Sequence, residues 1–271
     1  MIGFATATRG ELLYETLVKR FVNDEGNLRS AVGELKGFSV GGRAEQFSEY
    51  FAGIFCFNLT ARLLKTARVT LAQAELGEAL HHGNMLDFLC NQLNISEFRF
   101  RRHDVNLLIN LSFDAVRSSQ QEITARTKQE VIGGLQQIRC YICGREVFQR
   151  SVNPEDVVQY EHIWPRSYGG DSSALNLLPA CHACNNIKDA MLLWQDGPVH
   201  SFILPPHPNA NDLTTISRRA KIAKHRQHIF ERAIFRKITL KEAALELGPY
   251  DFANIHCDDP ADAADFFTFH F

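Results

Sequence analysis

The chain has 271 residues, of which 45% are hydrophobic and 22% are charged, with a formal net charge of -2 at pH 7. These values are typical of an ordinary soluble globular protein with one large domain or two modest ones. They exclude a disulfide-rich secreted scaffold, because seven cysteines are few for this length. We therefore expect a reducing, cytoplasmic location, and we see no secretory leader at Met1–Ala5. The most apolar stretch, residues 50–64, is too short and too polar to predict a membrane span.

Residues 1–135 are predicted to be mainly helical. Apolar residues recur at helical spacing over residues 11–21 and 43–67, and over residues 71–93 with an interruption near Gly83. Residues 98–111 are ambiguous between helix and strand, and residues 122–138 form a polar helix that leads into a cysteine pair. This half carries no motif, so we expect it to bind nucleic acid, a partner or another copy of the chain.

Two CxxC pairs follow. Cys140 and Cys143 form one, Cys181 and Cys184 form the other, and 37 residues separate them. Two such pairs can aim four thiolates at one tetrahedral Zn²⁺ ion and hold together a segment too small to be held by burial alone. A pair of disulfides and a redox pair are the alternatives, and the predicted compartment disfavours the disulfides.

The stretch between and after the pairs identifies a family. The run from Glu161 to Lys188, E-H-I-W-P-R-S-Y-G-G-D-S-S-A-L-N-L-L-P-A-C-H-A-C-N-N-I-K, resembles the HNH endonuclease motif in its zinc-knuckle form. The resemblance covers about residues 138–195. It implies a ββα-metal fold, in which two strands and a helix carry an acid–histidine pair, a central asparagine and a third polar residue after the last cysteine.

The resemblance also implies roles for four residues. His162 is the general base that takes a proton from water, which suits a neutral imidazole with a pKa near ~6.5. Asn176 holds His162 in place by side-chain hydrogen bonding across the loop. Glu161 and Asn185 are ligands of a catalytic Mg²⁺ or Mn²⁺ ion, since oxygen donors suit hard cations. Many relatives have Asp at the position of Glu161 and His at the position of Asn185.

The implied reaction is hydrolysis of phosphodiester bonds, with DNA as the expected substrate. One such site cuts one strand, so a monomer would nick. Stand-alone relatives are often components of restriction or phage defence, which is an analogy at the level of the family. The alternatives are an RNA-cleaving nuclease and a zinc-knuckle nucleic-acid-binding adaptor without catalysis.

The segment after the motif is strongly basic. Residues 217–241 contain nine Lys or Arg residues against one acid, Glu231. A solvated amphipathic helix is one interpretation, and a phosphate-contacting element beside the nuclease motif is the other. The predicted nucleic-acid contacts are Lys188, Arg166, Arg218, Arg219, Lys221, Lys224 and Arg226.

The last thirty residues are acidic, in contrast to the basic stretch that precedes them. From Glu242 onward there are seven acids and no Lys or Arg, and the chain ends in F-F-T-F-H-F. This tail is interpreted as a packed terminal segment, as a docking tail for a protein partner, or as a DNA-mimicking segment that covers the basic helix and inhibits the enzyme.

The predicted fold class is α+β. A mostly helical N-terminal domain precedes a small zinc-stapled ββα-metal (HNH) domain with a basic helix and an acidic C-terminal tail. The predicted boundaries are 1–135 for the helical module, 136–200 for the nuclease domain, and 201–271 for the basic helix and tail.

Overall fold

The computed structural model describes residues 3–22, 44–73, 75, 77–95, 100–133, 135–191 and 209–250. Its N-terminal half consists of helices α1 (Arg9–Leu17), α2 (Ala44–Leu71), α3 (Glu78–Gln92), α4 (Arg102–Ser119) and α5 (Ala125–Ile132). A turn of π-helix, Val18–Val22, continues α1. No helix in these ranges is long and apolar enough to cross a membrane.

Two of the predicted helices differ in detail from the observed ones. No interruption occurs at Gly83: α2 ends at Leu71, and α3 begins at Glu78 and runs through Gly83, which is exposed and has nothing near the place of a Cβ. The ambiguous segment is helical from Arg102 onward. Its buried residues Val105, Leu108 and Ile109 recur at helical spacing, which decides in favour of a helix.

Helices α1 to α4 share one apolar core. Leu13 and Leu17 from α1 pack with Leu63 from α2, Met85 from α3 and Leu108 from α4, and all five side chains are fully buried. Helix α1 begins with a capping box, in which the Thr8 hydroxyl and the Glu11 carboxylate satisfy each other's backbone N–H groups. Helices α1, α2 and α4 of this core also contact the next part of the chain.

The cysteine-rich segment has the predicted ββα order. Strand β1 (Gln159–His162) pairs antiparallel with β2 (Leu177–Ala180), with Gln159 opposite Ala180 and His162 opposite Leu177. Helix α6 (His182–Lys188) follows directly. The fold class predicted from the sequence is confirmed: a mostly helical chain contains a small two-stranded sheet beside a four-cysteine cluster.

Two further helices complete the described chain, α7 (Ala210–Arg236) and α8 (Leu240–Leu247). A second apolar core joins Phe4 and Tyr14 to Trp164 of the cysteine-rich segment and to Ile222 of α7. The three-part division at 135 and 200 stays a prediction. The acidic tail lies outside the described residues from position 251 onward.

Candidate metal centre and active site

The four cysteines of the two CxxC pairs meet at one point. Their Sγ atoms all lie within 4.8 Å of one another, and those of Cys143 and Cys181 are 3.8 Å apart. Zn–S bonds of about 2.3 Å in a tetrahedron place neighbouring sulfurs about 3.8 Å apart, so the cluster fits Zn²⁺. A disulfide requires about 2.05 Å, which this separation rules out for that pair. Hydrogen bonds from the other three thiols lower the pKa of Cys181, which favours a thiolate ligand.

Local backbone geometry forms both knuckles. In the first, Gly144 has a φ of 73°, a value that glycine adopts without strain, and its N–H donates to the Cys140 carbonyl at 2.8 Å. The N–H of Tyr141 donates to the Pro179 carbonyl at 2.9 Å and ties this knuckle to β2. In the second, Cys181 is the N-cap of α6 and its Sγ accepts from the Cys184 N–H at 3.5 Å.

A cavity of about 400 Å³ brings three of the predicted catalytic residues together. Glu161 and His162 reach it from the end of β1, and Asn185 reaches it from α6. Arg166 and Asp189 also line it. Carboxylate, amide and imidazole groups in one cavity are the donor set that a divalent cation and a general base require.

His162 is neutral over most of the pH range. Burial lowers its pKa to about 4, and the positive charges of Arg166 and Lys188 lower it further while Asp171 opposes them. The value near ~6.5 expected from the sequence is that of a free side chain and is corrected by this environment. At neutral pH the imidazole therefore has an unprotonated nitrogen available.

Asn176 clamps the loop that follows His162. Its Oδ1 accepts from the Trp164 N–H at 2.8 Å, and its Nδ2 donates to the carbonyls of Trp164 at 3.0 Å and Asp171 at 2.8 Å. The side chain thus makes hydrogen bonds across the loop, and the prediction that these bonds hold His162 in place stays a prediction. The clamp is tight, because a Cβ at Gly170 would lie 1.7 Å from the Trp164 carbonyl oxygen.

Lys188 is an interior residue, so the predicted nucleic-acid contact is wrong for it. Its side chain is 0% exposed, its ammonium pairs with the Glu161 carboxylate, and its Nζ also donates to the His162 carbonyl at 3.0 Å. Burial lowers its pKa to about 8, which still leaves it protonated at pH 7. The Tyr141 hydroxyl donates to the other carboxylate oxygen of Glu161 at 2.6 Å.

Glu161 keeps the capacity to bind a cation. Each carboxylate oxygen offers two lone-pair directions, and Lys188 and Tyr141 engage one oxygen each. Asn185 also lines the cavity and carries an amide oxygen, and Asp189, which no sequence motif marked, adds an exposed carboxylate. The donor set fits a hard divalent ion with open positions.

The other basic residues predicted to contact nucleic acid differ in how exposed their side chains are. Arg166 is exposed at the cavity, with its Nε donating to the Ser119 carbonyl at 2.7 Å. Arg226 is only 2% exposed and lies over the ring of Phe230, so its predicted contact with nucleic acid is wrong. The remaining candidates on α7 are partly exposed: Arg218, Arg219, Lys221 and Lys224.

A residue that the sequence did not reveal lies against His162. The Oγ of Ser172 is 3.1 Å from His162 Nε2 and also donates to the Gln121 carbonyl at 2.7 Å. Nothing in the spacing of the motif marks this serine, since its partner Gln121 comes from the turn after α4.

The geometry of this segment agrees with a family match. Residues 140–193 match the family model of HNH endonucleases. No curated protein and no solved structure matches the chain. The HNH segment thus contains both cysteine pairs, both strands, α6 and the walls of the cavity.

Proposed function

We propose that this protein is a metal-dependent HNH endonuclease that hydrolyses phosphodiester bonds of DNA. One observation carries the proposal: neutral His162 shares a cavity with the oxygen donors Glu161 and Asn185, inside the segment that matches the HNH endonuclease family. The four cysteines are the structural support of this cavity, because they join the turn before β1 to the helix that carries Asn185.

In the proposed reaction, His162 accepts a proton from a water molecule as the water oxygen bonds to phosphorus. The bond from phosphorus to the 3′-oxygen breaks, and the 3′-oxygen takes a proton from solvent. A pKa of about 4 makes His162 a weak base in the free protein. A bound phosphate neutralises Arg166, which faces the same cavity, and adds negative charge, so both effects raise the pKa of His162 when substrate is present.

Glu161 and Asn185 would hold a Mg²⁺ or Mn²⁺ ion. Such an ion, when bound, stabilises negative charge on the phosphoryl and leaving oxygens. Lys188, which is protonated at neutral pH, orients the Glu161 carboxylate before the ion arrives.

Several finer features belong to the proposal. Arg166 and the partly exposed basic residues of α7 would contact phosphates without reading the sequence of the bases. One cavity per chain would nick one strand. The helical module and the acidic tail would bind a protein partner, and phage defence would be the setting. Zinc-bound thiolates persist in a reducing compartment, so we place the protein in the cytoplasm.

A second candidate is a zinc-dependent nucleic-acid-binding adaptor without catalysis. The observation that favours it is the engagement of both Glu161 oxygens by Tyr141 and Lys188. If these partners exclude the divalent ion, the fold remains intact and no hydrolysis occurs. Binding of DNA without cleavage in the presence of any divalent ion would support the adaptor over the nuclease.

Replacement of the base tests the mechanism. His162→Ala should slow nicking of supercoiled plasmid by about 10²-fold or more, since positioned proton transfer contributes about 10² to 10⁴. His182→Ala is the matched control, because His182 belongs to the same segment but does not line the cavity. Zinc content and circular dichroism should be unchanged in both variants. Equal activity in His162→Ala would refute the mechanism, and a parallel panel of labelled DNA and RNA identifies the substrate.

A further inference from the structure

The environment of His162 contains a short chain of hydrogen bonds that begins outside the HNH segment. The Gln121 carbonyl accepts from the Ser172 hydroxyl at 2.7 Å, and Ser172 Oγ is 3.1 Å from His162 Nε2. Ser172 is only 4% exposed, so water does not replace either bond readily. The chain links the end of the helical module to the proposed base.

The directions of these bonds follow from the number of hydrogens. A serine hydroxyl has one hydrogen, and a carbonyl oxygen can only accept, so the hydrogen of Ser172 points to Gln121. Ser172 can then only accept from His162, which requires a hydrogen on Nε2. The neutral ring has one hydrogen, so its lone pair is on Nδ1.

We propose that Ser172, held by the Gln121 carbonyl, is a positioning residue that fixes His162 in the Nε2–H tautomer and leaves Nδ1 as the basic nitrogen. This inference rests on the proposed function, in which His162 is the base. The opposite tautomer would set two lone pairs against each other, or would leave the Gln121 carbonyl without its donor. Either arrangement raises the free energy of the Nδ1–H tautomer, so the Nε2–H form is favoured by ~10-fold or more.

The helical module holds the rest of the loop in the same way. Arg68 of α2 donates to the carbonyls of Arg166 and Ser167, both at 3.0 Å, and the Gly10 N–H of α1 donates to the Gly169 carbonyl at 3.1 Å. Ala115 of α4 packs so close to Gly169 that a Cβ there would lie 2.7 Å from its methyl group. The module therefore supports this loop from outside the cavity and positions the base through Ser172.

The tautomer can be measured without any cleavage assay. Zinc-loaded protein labelled with ¹⁵N-histidine gives long-range ¹H–¹⁵N correlations in which protonated and unprotonated ring nitrogens are distinct. Wild-type protein at pH 7 should have a protonated Nε2 and an unprotonated Nδ1 in His162. Ser172→Ala should give a mixture of tautomers and about a 10-fold lower turnover rate with little change in KM, and Ser172→Thr should restore both, because it keeps the hydroxyl.

The neighbouring serine provides a matched control. The Ser173 hydroxyl is buried and makes no hydrogen bond among the residues that the structure describes, so Ser173→Ala should change neither the tautomer nor the rate. A wild-type spectrum with the Nδ1–H tautomer would overturn the inference, as would an unchanged tautomer in folded Ser172→Ala. If wild-type protein has the Nε2–H tautomer but cleaves nothing, the positioning stands and the nuclease proposal fails.

Discussion

The buried pair of Lys188 and Glu161 gives the strongest stability prediction. Their side chains are 0% and 3% exposed, so each charge depends on the other for its compensation. Lys188→Met keeps the apolar stem and removes the ammonium, which leaves a buried carboxylate supported by the Tyr141 hydroxyl. Removal of one partner from such a pair costs about 3 to 5 kcal/mol, a large part of the roughly 5 to 15 kcal/mol that stabilises a typical protein.

A double-mutant cycle separates the pair from the packing around it. Glu161→Gln should cost a similar amount, because it leaves the ammonium buried without a counter-charge. The double variant contains neither charge, so its loss should be smaller than the sum of the single losses by about 2 to 3 kcal/mol. Urea unfolding followed by far-UV circular dichroism, with zinc present throughout, measures all four proteins. Additive losses, or a loss below about 1 kcal/mol for Lys188→Met as at an exposed pair, would refute this account.

Three other predictions use different parts of the fold. Gly170→Ala brings a Cβ to 1.7 Å from the Trp164 carbonyl oxygen and should lower the free energy of unfolding by about 3 kcal/mol. Gly83→Ala is the control, because Gly83 lies in open space inside α3, and it should raise the free energy of unfolding by about 1 kcal/mol. Equal changes for the two variants in urea titration would contradict this. Burial lowers the pKa of His225 to about 4, below its unfolded value near ~6.5, so the unfolded chain takes up the proton first as pH falls. Between pH 7 and pH 5, His225→Gln should therefore lose about 2 kcal/mol less stability than the wild type, and equal acid sensitivity of the two proteins by urea midpoints would contradict this. Cys181→Ser should reduce bound zinc from about one ion per chain to almost none, with loss of the folded segment by circular dichroism; full zinc occupancy by mass spectrometry would contradict a shared site.

The parts of the site that depend on residues close together in the sequence could be predicted. The CxxC spacing alone indicates a shared zinc site, and the Sγ atoms do lie within 4.8 Å of one another. The resemblance of residues 161–188 to the HNH motif implies two strands and a helix, and the structure has β1, β2 and α6 in that order. These features need only short turns and one strand pairing, both of which the motif defines.

The errors concern charges whose surroundings are set by distant parts of the chain. Lys188 follows a cysteine knuckle and was expected at the surface, but strand pairing brings Glu161 beside it and the interior encloses both. Arg226 belongs to a strongly basic stretch, yet its face of α7 packs inward. Helical periodicity predicts that a helix has an inner face, but nine basic residues in one segment obscure which of them occupy it.

Ser172 illustrates a further limit. Its role depends on the Gln121 carbonyl, a backbone atom that carries no side-chain signature in the sequence. The helical module was predicted to consist of helices, and no function was assigned to it. Its backbone contacts with the loop of the HNH segment depend on how the two segments pack together, so neither segment's sequence predicts them.

The most direct test of the central claim is the dependence of nicking on an added divalent ion. Zinc-loaded wild-type protein is incubated with supercoiled plasmid, with and without Mg²⁺ or Mn²⁺, and the open-circular product is quantified over time. The account predicts that open-circular DNA forms when Mg²⁺ or Mn²⁺ is present and does not form with structural zinc alone. Absence of nicking with either ion, or an equal rate without them, would contradict a catalytic cavity built from Glu161, His162 and Asn185.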